Sequence, residues 1–219
     1  IFMRLPVSIK VAFLGMLLAT VMGLPLGVLS AVKQYSPADS FLRVASTVLV
    51  AMPTFWLAML LILVFALYLG WLPAGGALTW QSYILPTITV GVPYGSKVLR
   101  MTRSTMLEEI RQDYVRTARS KGVPEKKVIY GHALKNALLP VITTIGSAFG
   151  AILGGSVIAE SVFNLPGLGS LIVLSIKAKD TPSVLASVLL LAVFFALIML
   201  IVDLVYAFID PRIKAKYAK

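Results

Sequence analysis

The chain of 219 residues contains no cysteine and a single histidine. The missing thiols exclude a disulfide framework, a thiolate metal site and a cysteine nucleophile, and make redox chemistry a poor fit. Charge is also scarce, since Asp, Glu, Lys and Arg supply only 13% of the residues, against about a quarter in a soluble domain. The shell that would wet a soluble protein is therefore lacking. What is present instead is apolar: 58% of the residues are hydrophobic and the mean hydropathy is +0.91, values that belong to a membrane protein. Acids are outnumbered 9 to 20, giving a net charge of +11. Such a surplus indicates nucleic acid only where the basic groups face water freely. Here they gather beside apolar runs, so nucleic acid is not an expected partner.

A helix needs about 20 mostly apolar residues to cross the hydrocarbon. Five stretches of low charge meet or approach that length: residues 5–32, 44–71, 83–99, 137–159 and 184–209. The third is short and interrupted by Pro86, Gly91 and Pro93, breaks that packing against neighbouring helices can tolerate. The expected fold is an all-α, polytopic transmembrane bundle forming one domain. The first stretch is too long for a signal peptide and has no basic leader. Residues 100–135 hold nine basic and four acidic side chains, and residues 210–219 hold four and one, which puts both segments on the cytoplasmic side. Residues 72–82 carry no charge and residues 160–181 carry no net charge, so these face outward. Five crossings that end inside begin outside. Arg4 and Lys10 sit against that rule, and the chain opens with Ile, so a further crossing is expected upstream.

The long cytoplasmic segment predicts a helical hairpin. Met106, Ile110, Tyr114 and Ala118 recur every four residues in a first helix that Gly122 ends, and Pro124 suits the first turn of a second helix leading to Pro140. A basic hairpin can simply anchor at lipid headgroups, where each Lys or Arg is worth about 1 kcal/mol. An apolar stripe mixed with both signs of charge on a short helix stopped by glycine suits a protein partner better.

These residues also carry a family likeness. The run Asp113-Tyr-Val-Arg-Thr-Ala-Arg-Ser-Lys-Gly122, followed by His132-Ala-Leu-Lys-Asn-Ala-Leu-Leu-Pro140, resembles the cytoplasmic loop of ABC importer permeases of the dipeptide, oligopeptide and nickel group. Glu160-Ser-Val-Phe-Asn-Leu-Pro-Gly-Leu-Gly169, Asp210-Pro-Arg-Ile213 and Met52-Pro-Thr-Phe-Trp56 extend the resemblance over nearly the whole chain. Arg116, Thr117 and Ala118 stand where importers in general have Glu-Ala-Ala, and Leu139-Pro140 comes five residues late; peptide-type permeases share both departures.

The resemblance implies a type I importer permease in the bacterial or archaeal inner membrane, with its C-terminus in the cytoplasm. It implies a second permease subunit, two ATP-binding subunits that hold ATP and Mg, and an extracytoplasmic binding protein; this chain would bind no cofactor and catalyse nothing. The helix before Gly122 would be the coupling helix, docking through Tyr114, Arg116, Thr117, Ala118, Arg119, Gly122 and Val123. Small Ala118 and Gly122 suit close approach, and the Arg side chains suit acidic or carbonyl acceptors. The implied substrate is a di- or oligopeptide, with a nickel complex as the alternative.

Two further features stay open at the level of sequence. Gly146, Gly150 and Gly154, four apart, suit either packing within the chain or a seam with a second permease. Glu160, Phe163, Asn164, Pro166 and Gly169 suit either a connector or an outer gate or rim for a docked binding protein. Gly91 to Lys97 falls one residue short of a phosphate loop and follows no strand. His132 has no Cys or second His to complete a metal or catalytic group. Lys97 is expected to snorkel to the headgroups. Asp203, the one acid well inside a crossing, leaves a proton- or sodium-driven carrier as the rival from another class, although midplane polar sites and inverted halves are not seen.

Overall fold

A computed structural model describes residues 1–209, with the side chains of residue 203 and residues 205–209 excepted. Asp210-Pro-Arg-Ile213 and the basic C-terminal segment lie outside the described residues, as does the Asp203 side chain. Among the described residues there is helix and turn but no strand.

Helix α1 spans Leu5–Val32, and α4 spans Ile84–Ile110. They form the tightest seam of the bundle, for a reason written in their spacing. Gly15, Ala19, Gly23 and Gly27 repeat every four residues on α1 and meet Gly91 and Gly95 on α4. A Cβ on Gly23 would stand 2.5 Å from the Gly95 carbonyl oxygen, and one on Gly91 would stand 2.8 Å from the carbonyl oxygen of Gly15. Only small residues let two helix backbones approach this far in a membrane, where dispersion and not water expulsion holds helices together.

Helix α2 (Pro37–Ala51) begins at an N-cap, Ser36, whose hydroxyl accepts the Asp39 N–H, with Pro37 in the first turn. Helix α3 (Thr54–Leu61) continues as a π-helical stretch, Ile62–Tyr68. Between them the chain bends by 104°. Residues 44–71 therefore do not form the single straight crossing expected from their lack of charge. Pro53 disfavours helical geometry at the residue before it, and Met52 is extended at ψ 128°. Charge counting cannot detect that break.

A short loop and a 3₁₀ turn, Trp80–Tyr83, lead into α4, which continues well past the expected limit at residue 99. Next come α5 (Asp113–Ser120), a single turn α6 (Glu125–Lys127), a π-helical stretch Val128–Ala133, and α7 (Leu134–Val162). The segment expected to lie as a loop outside the membrane, residues 160–181, contains a helix, α8 (Leu168–Lys177), and α9 (Thr181–Ile209) closes the described chain.

Three helical segments among the described residues, Leu5–Val32, Glu125–Val162 and Thr181–Val202, are long and apolar enough to cross a membrane, and the bent α2–α3 pair has the apolar length of a broken span or a re-entrant loop. The third expected crossing, residues 83–99, corresponds to α4, whose polar residues lower its hydropathy; α4 is sheltered instead, packed between α1 and α7. Two cores form at opposite ends. One gathers Val11, Leu85, Val90, Phe149, Ile152 and Phe163, and the other gathers Val28, Ala31, Met106, Val115, Val128 and Ala137.

Candidate functional site

The second core is the root of the hairpin. Met106 and Ile110 close α4, while Val115 and Ala118 lie on α5, so the four-residue stripe runs through two helices and not one. The break falls at Gln112, extended at ψ 151°. Val115 is fully buried and Ala118 nearly so, against Val128, Ile129 and Ala133 and the ends of α1 and α7. Ala118 thus packs mainly into the hairpin's own core and offers little surface of its own, where the sequence leads one to expect a docking residue.

Tyr114, Arg116, Thr117, Arg119 and Gly122 are exposed, and Val123 is half-buried beside Ala118. Gly122 has φ +74°, the left-handed conformation that favours glycine. Its N–H donates to the Arg119 carbonyl at 2.9 Å and the Val123 N–H donates to the Ala118 carbonyl at 3.2 Å, a Schellman stop with its apolar contact. No atom approaches within 4 Å of where a Gly122 side chain would begin.

Charges pair sparingly on this surface. Arg119 donates to both Glu125 carboxylate oxygens, at 2.7 and 3.1 Å, tying α5 to α6. That hydrogen-bonded contact holds the Glu125 carboxyl below its ordinary value and Arg119 above its own. The Tyr114 hydroxyl donates to Glu109 at the end of α4, and burial, then the Glu109 carboxylate, push its phenol up. Arg116 is only 3.7 Å from Asp113, both well solvated, and Thr117 donates to the Asp113 carbonyl. One face of α5 therefore packs on the Val128–Ala133 stretch, in a core to which α1, α4 and α7 also contribute, while the other offers cations and hydroxyls to water.

Beside the root lies a group with no visible sequence signal. Asp39 is buried, and Arg103 donates to its two carboxylate oxygens at 2.7 and 2.9 Å. The Ser30 hydroxyl and the Tyr35 N–H also donate to this carboxylate, with Tyr35 in a left-handed turn at φ 64°. The bidentate pair joins α2 to α4, and Ser30 brings in α1. Residues 64 positions apart leave no local spacing from which to infer this latch.

At the opposite end the structure divides the five expected rim residues. Asn164 and Pro166 are exposed, but Glu160, Phe163 and Gly169 are buried. Glu160 Oε2 accepts the Ser170 N–H at 3.1 Å, and Ser156 donates to Oε1 at 3.2 Å, so the carboxylate caps the first turn of α8 where a negative group is favoured. A Cβ on Gly167 would overlap that carboxylate, and one on Gly169 would stand 2.5 Å from the Val157 backbone. The Leu168 N–H donates to Ser8 of α1 at 2.8 Å. The Pro-Gly-Leu-Gly run is therefore shaped by an acid buried beneath it. A cavity of about 370 Å³ opens there, with Arg4, Asn164, Pro166 and Lys177 among its lining.

The glycine stripe of α7 is likewise divided. Gly146 and Gly150 leave room for Val202 and Phe195 of α9, which is packing inside the chain, whereas Gly154 faces open space. Lys97 is exposed, with its ammonium 4.7 Å from the centre of the Tyr94 ring.

Residues 23–215 match the family described as "Binding-protein-dependent transport system inner membrane component". The chain is 43% identical over 202 residues to "Glutathione transport system permease protein GsiC" of Escherichia coli (strain K12), covering 92% of this chain and 66% of the relative. Its counterpart in Pectobacterium atrosepticum is 45% identical over 201 residues, covering 90% and 65%. The chain thus spans just under two thirds of the length of these relatives. Among solved structures, the inward-facing MetNI methionine ABC transporter superposes with a TM-score of 0.76 at 19% identity, over 93% of both chains. An amino acid ABC transporter with histidines gives 0.68 at 16%, over 96% and 92%. At such identities the likeness shows the fold, that of type I ABC importer permeases.

Proposed function

Because this chain belongs to the family of inner-membrane components of binding-protein-dependent transport systems, in its dipeptide, oligopeptide and nickel permease group, we propose that it is a permease subunit of an ATP-driven importer of short peptides. Two such subunits frame the path. Two ATP-binding subunits, which hold the ATP and Mg, each grip a hairpin from the cytoplasm, and a binding protein delivers cargo to the end where Asn164 and Pro166 are exposed. This chain catalyses nothing. The basic hairpin and C-terminus face the cytoplasm, in keeping with their charge. The relatives named for glutathione support a tripeptide-sized cargo.

The observation that carries this reading is the two-sided α5. Arg116, Thr117 and Lys121 are offered to a partner, while Val115 on the other face is set among residues of α1, α4 and α7. A push on α5 therefore passes into the Val128–Ala133 stretch, which runs on into α7 and packs against α4, and the Asp39–Arg103 latch joins α4 to α2. Moving such a bundle from 1:99 to 99:1 between two states takes about 5.5 kcal/mol of differential binding, which nucleotide-driven closure of the ATPase pair supplies.

The test is the complete transporter in nanodiscs with Arg116→Glu and Thr117→Glu combined. Substrate-stimulated ATP hydrolysis should fall at least about fivefold, the scale of a lost coupling, while membrane insertion stays intact. Unchanged hydrolysis would remove α5 as the docking element. Glutathione and dipeptides should each be tried as stimulants, and a failure of both would remove the peptide assignment.

A further inference from the structure

Near the latch, α2 and α4 separate and leave a cavity of about 250 Å³ lined by Arg43, Ser46, Thr47, Arg100, Arg103 and Ser104. Arg103 is already matched by Asp39. Both Asp39 oxygens are fully engaged, by Arg103, Ser30 and the Tyr35 N–H, so nothing of that acid remains for the other two guanidiniums. Arg43 and Arg100 have no carboxylate within ion-pair distance among the described residues. The Ser46 and Thr47 hydroxyls donate to the Arg43 carbonyl, which leaves the guanidiniums and Ser104 as the donors. The cup thus has a surplus of two positive charges and wants an anion with several acceptor oxygens.

A second cavity, of about 420 Å³, shares Arg43 and Thr47 and runs along α2 past Ser40, Val44 and Val48. Val44 and Val48 are 65% and 48% exposed on that face. A cationic cup continuing into an apolar groove fits an amphipathic anion whose headgroup and chain lie side by side. We propose that this site binds the phosphate of an anionic phospholipid from the cytoplasmic leaflet, with an acyl chain along Val44 and Val48. The leaflet rests on the orientation given under the proposed function. The occupant follows from charge and shape, since an isolated phosphate leaves the groove empty and a neutral lipid leaves the surplus charge unmatched.

The experiment is native mass spectrometry of the whole transporter titrated with phosphatidylglycerol or phosphatidylcholine, with and without millimolar inorganic phosphate or glutathione. Phosphatidylglycerol should be retained by each permease chain, and Arg43→Gln with Arg100→Gln should weaken that retention about thirtyfold. Phosphatidylcholine binding should not change, Arg43→Lys with Arg100→Lys should restore much of the affinity, and phosphate should compete poorly. Equal retention by the wild type and the Gln variant overturns the proposal. Displacement by phosphate alone overturns the lipid as occupant, and displacement by glutathione shows a cargo site instead. Should the Gln variant fail to assemble, a photoreactive phosphatidylglycerol on the wild type decides: labelling of residues 40–48 and 100–104 supports the site, and labelling elsewhere overturns it. Loss of ATP-dependent uptake with lipid retention intact would break the transport reading and leave this one standing.

Discussion

The hairpin α5–α6 and the turn joining α7 to α8 stop their helices in the same way and use charge in opposite ways. At the hairpin, Gly122 takes the left-handed position and the Val123 N–H reaches back to Ala118. At the other end Asn164, φ 49°, takes that position and the Leu165 N–H reaches back to Glu160. Beyond these stops the two regions diverge. The hairpin leaves Arg116, Lys121 and Asp113 in water, while the turn draws its acid, Glu160, fully inside and closes Gly167 and Gly169 over it. A polar motif can thus be a surface kept for a partner or the interior of a lock, and the room around its glycines distinguishes the two.

Substituting a glycine at each place sharpens that contrast. Gly169→Ala should have the largest effect, because its Cβ meets the backbone of α7 at Val157. Overpacking of this kind costs about 1–3 kcal/mol, to be seen as a lower midpoint in thermal unfolding of the detergent-solubilised complex. Gly122→Ala should cost about 1 kcal/mol, from left-handed strain alone, since space around it is open. Its stronger mark should be on ATP coupling. If Gly122→Ala unfolds the protein more readily than Gly169→Ala, the contrast is broken.

The smallest effect should come from pH. Arg119 holds Glu125 below the ordinary carboxylate value in the folded hairpin. Its stabilisation is therefore complete above the unfolded value and lost as the pH falls through the folded one. Both side chains are substantially solvated, so the loss should be under about 1 kcal/mol. Hydrogen exchange of the α5–α6 amides between neutral pH and pH 3 checks it, with Glu125→Gln expected to flatten the change.

Much of this architecture was legible. Long apolar runs of low charge located α1, α7 and α9 because hydrocarbon tolerates few alternatives to a long apolar helix. The Met52-Pro53 break was written in the chain, but a search for charge does not register backbone dihedrals. Gln112 escaped notice because the four-residue recurrence of Met106, Ile110, Tyr114 and Ala118 passes through the break without losing step. Glu160 reads as a rim residue from the aromatic and Pro-Gly content of a segment with no net charge; its burial depends on Ser170 and Gly167 folding back over it. The latch between Asp39 and Arg103 is a purely tertiary fact. The spacing of Gly15, Ala19, Gly23 and Gly27 was as plain as that of Gly146, Gly150 and Gly154, and it marks the closer seam.

That seam also limits how the bundle can move. With peptide planes of α1 and α4 already touching at Gly15, Gly23, Gly91 and Gly95, sliding one rod along the other by a single residue would drive a bulky neighbour such as Val98 into main-chain atoms. The two helices are thereby confined to travel as one plate. A rocking motion would then fall to the remaining joints, such as the 104° elbow beside Pro53 and the sparsely covered α9.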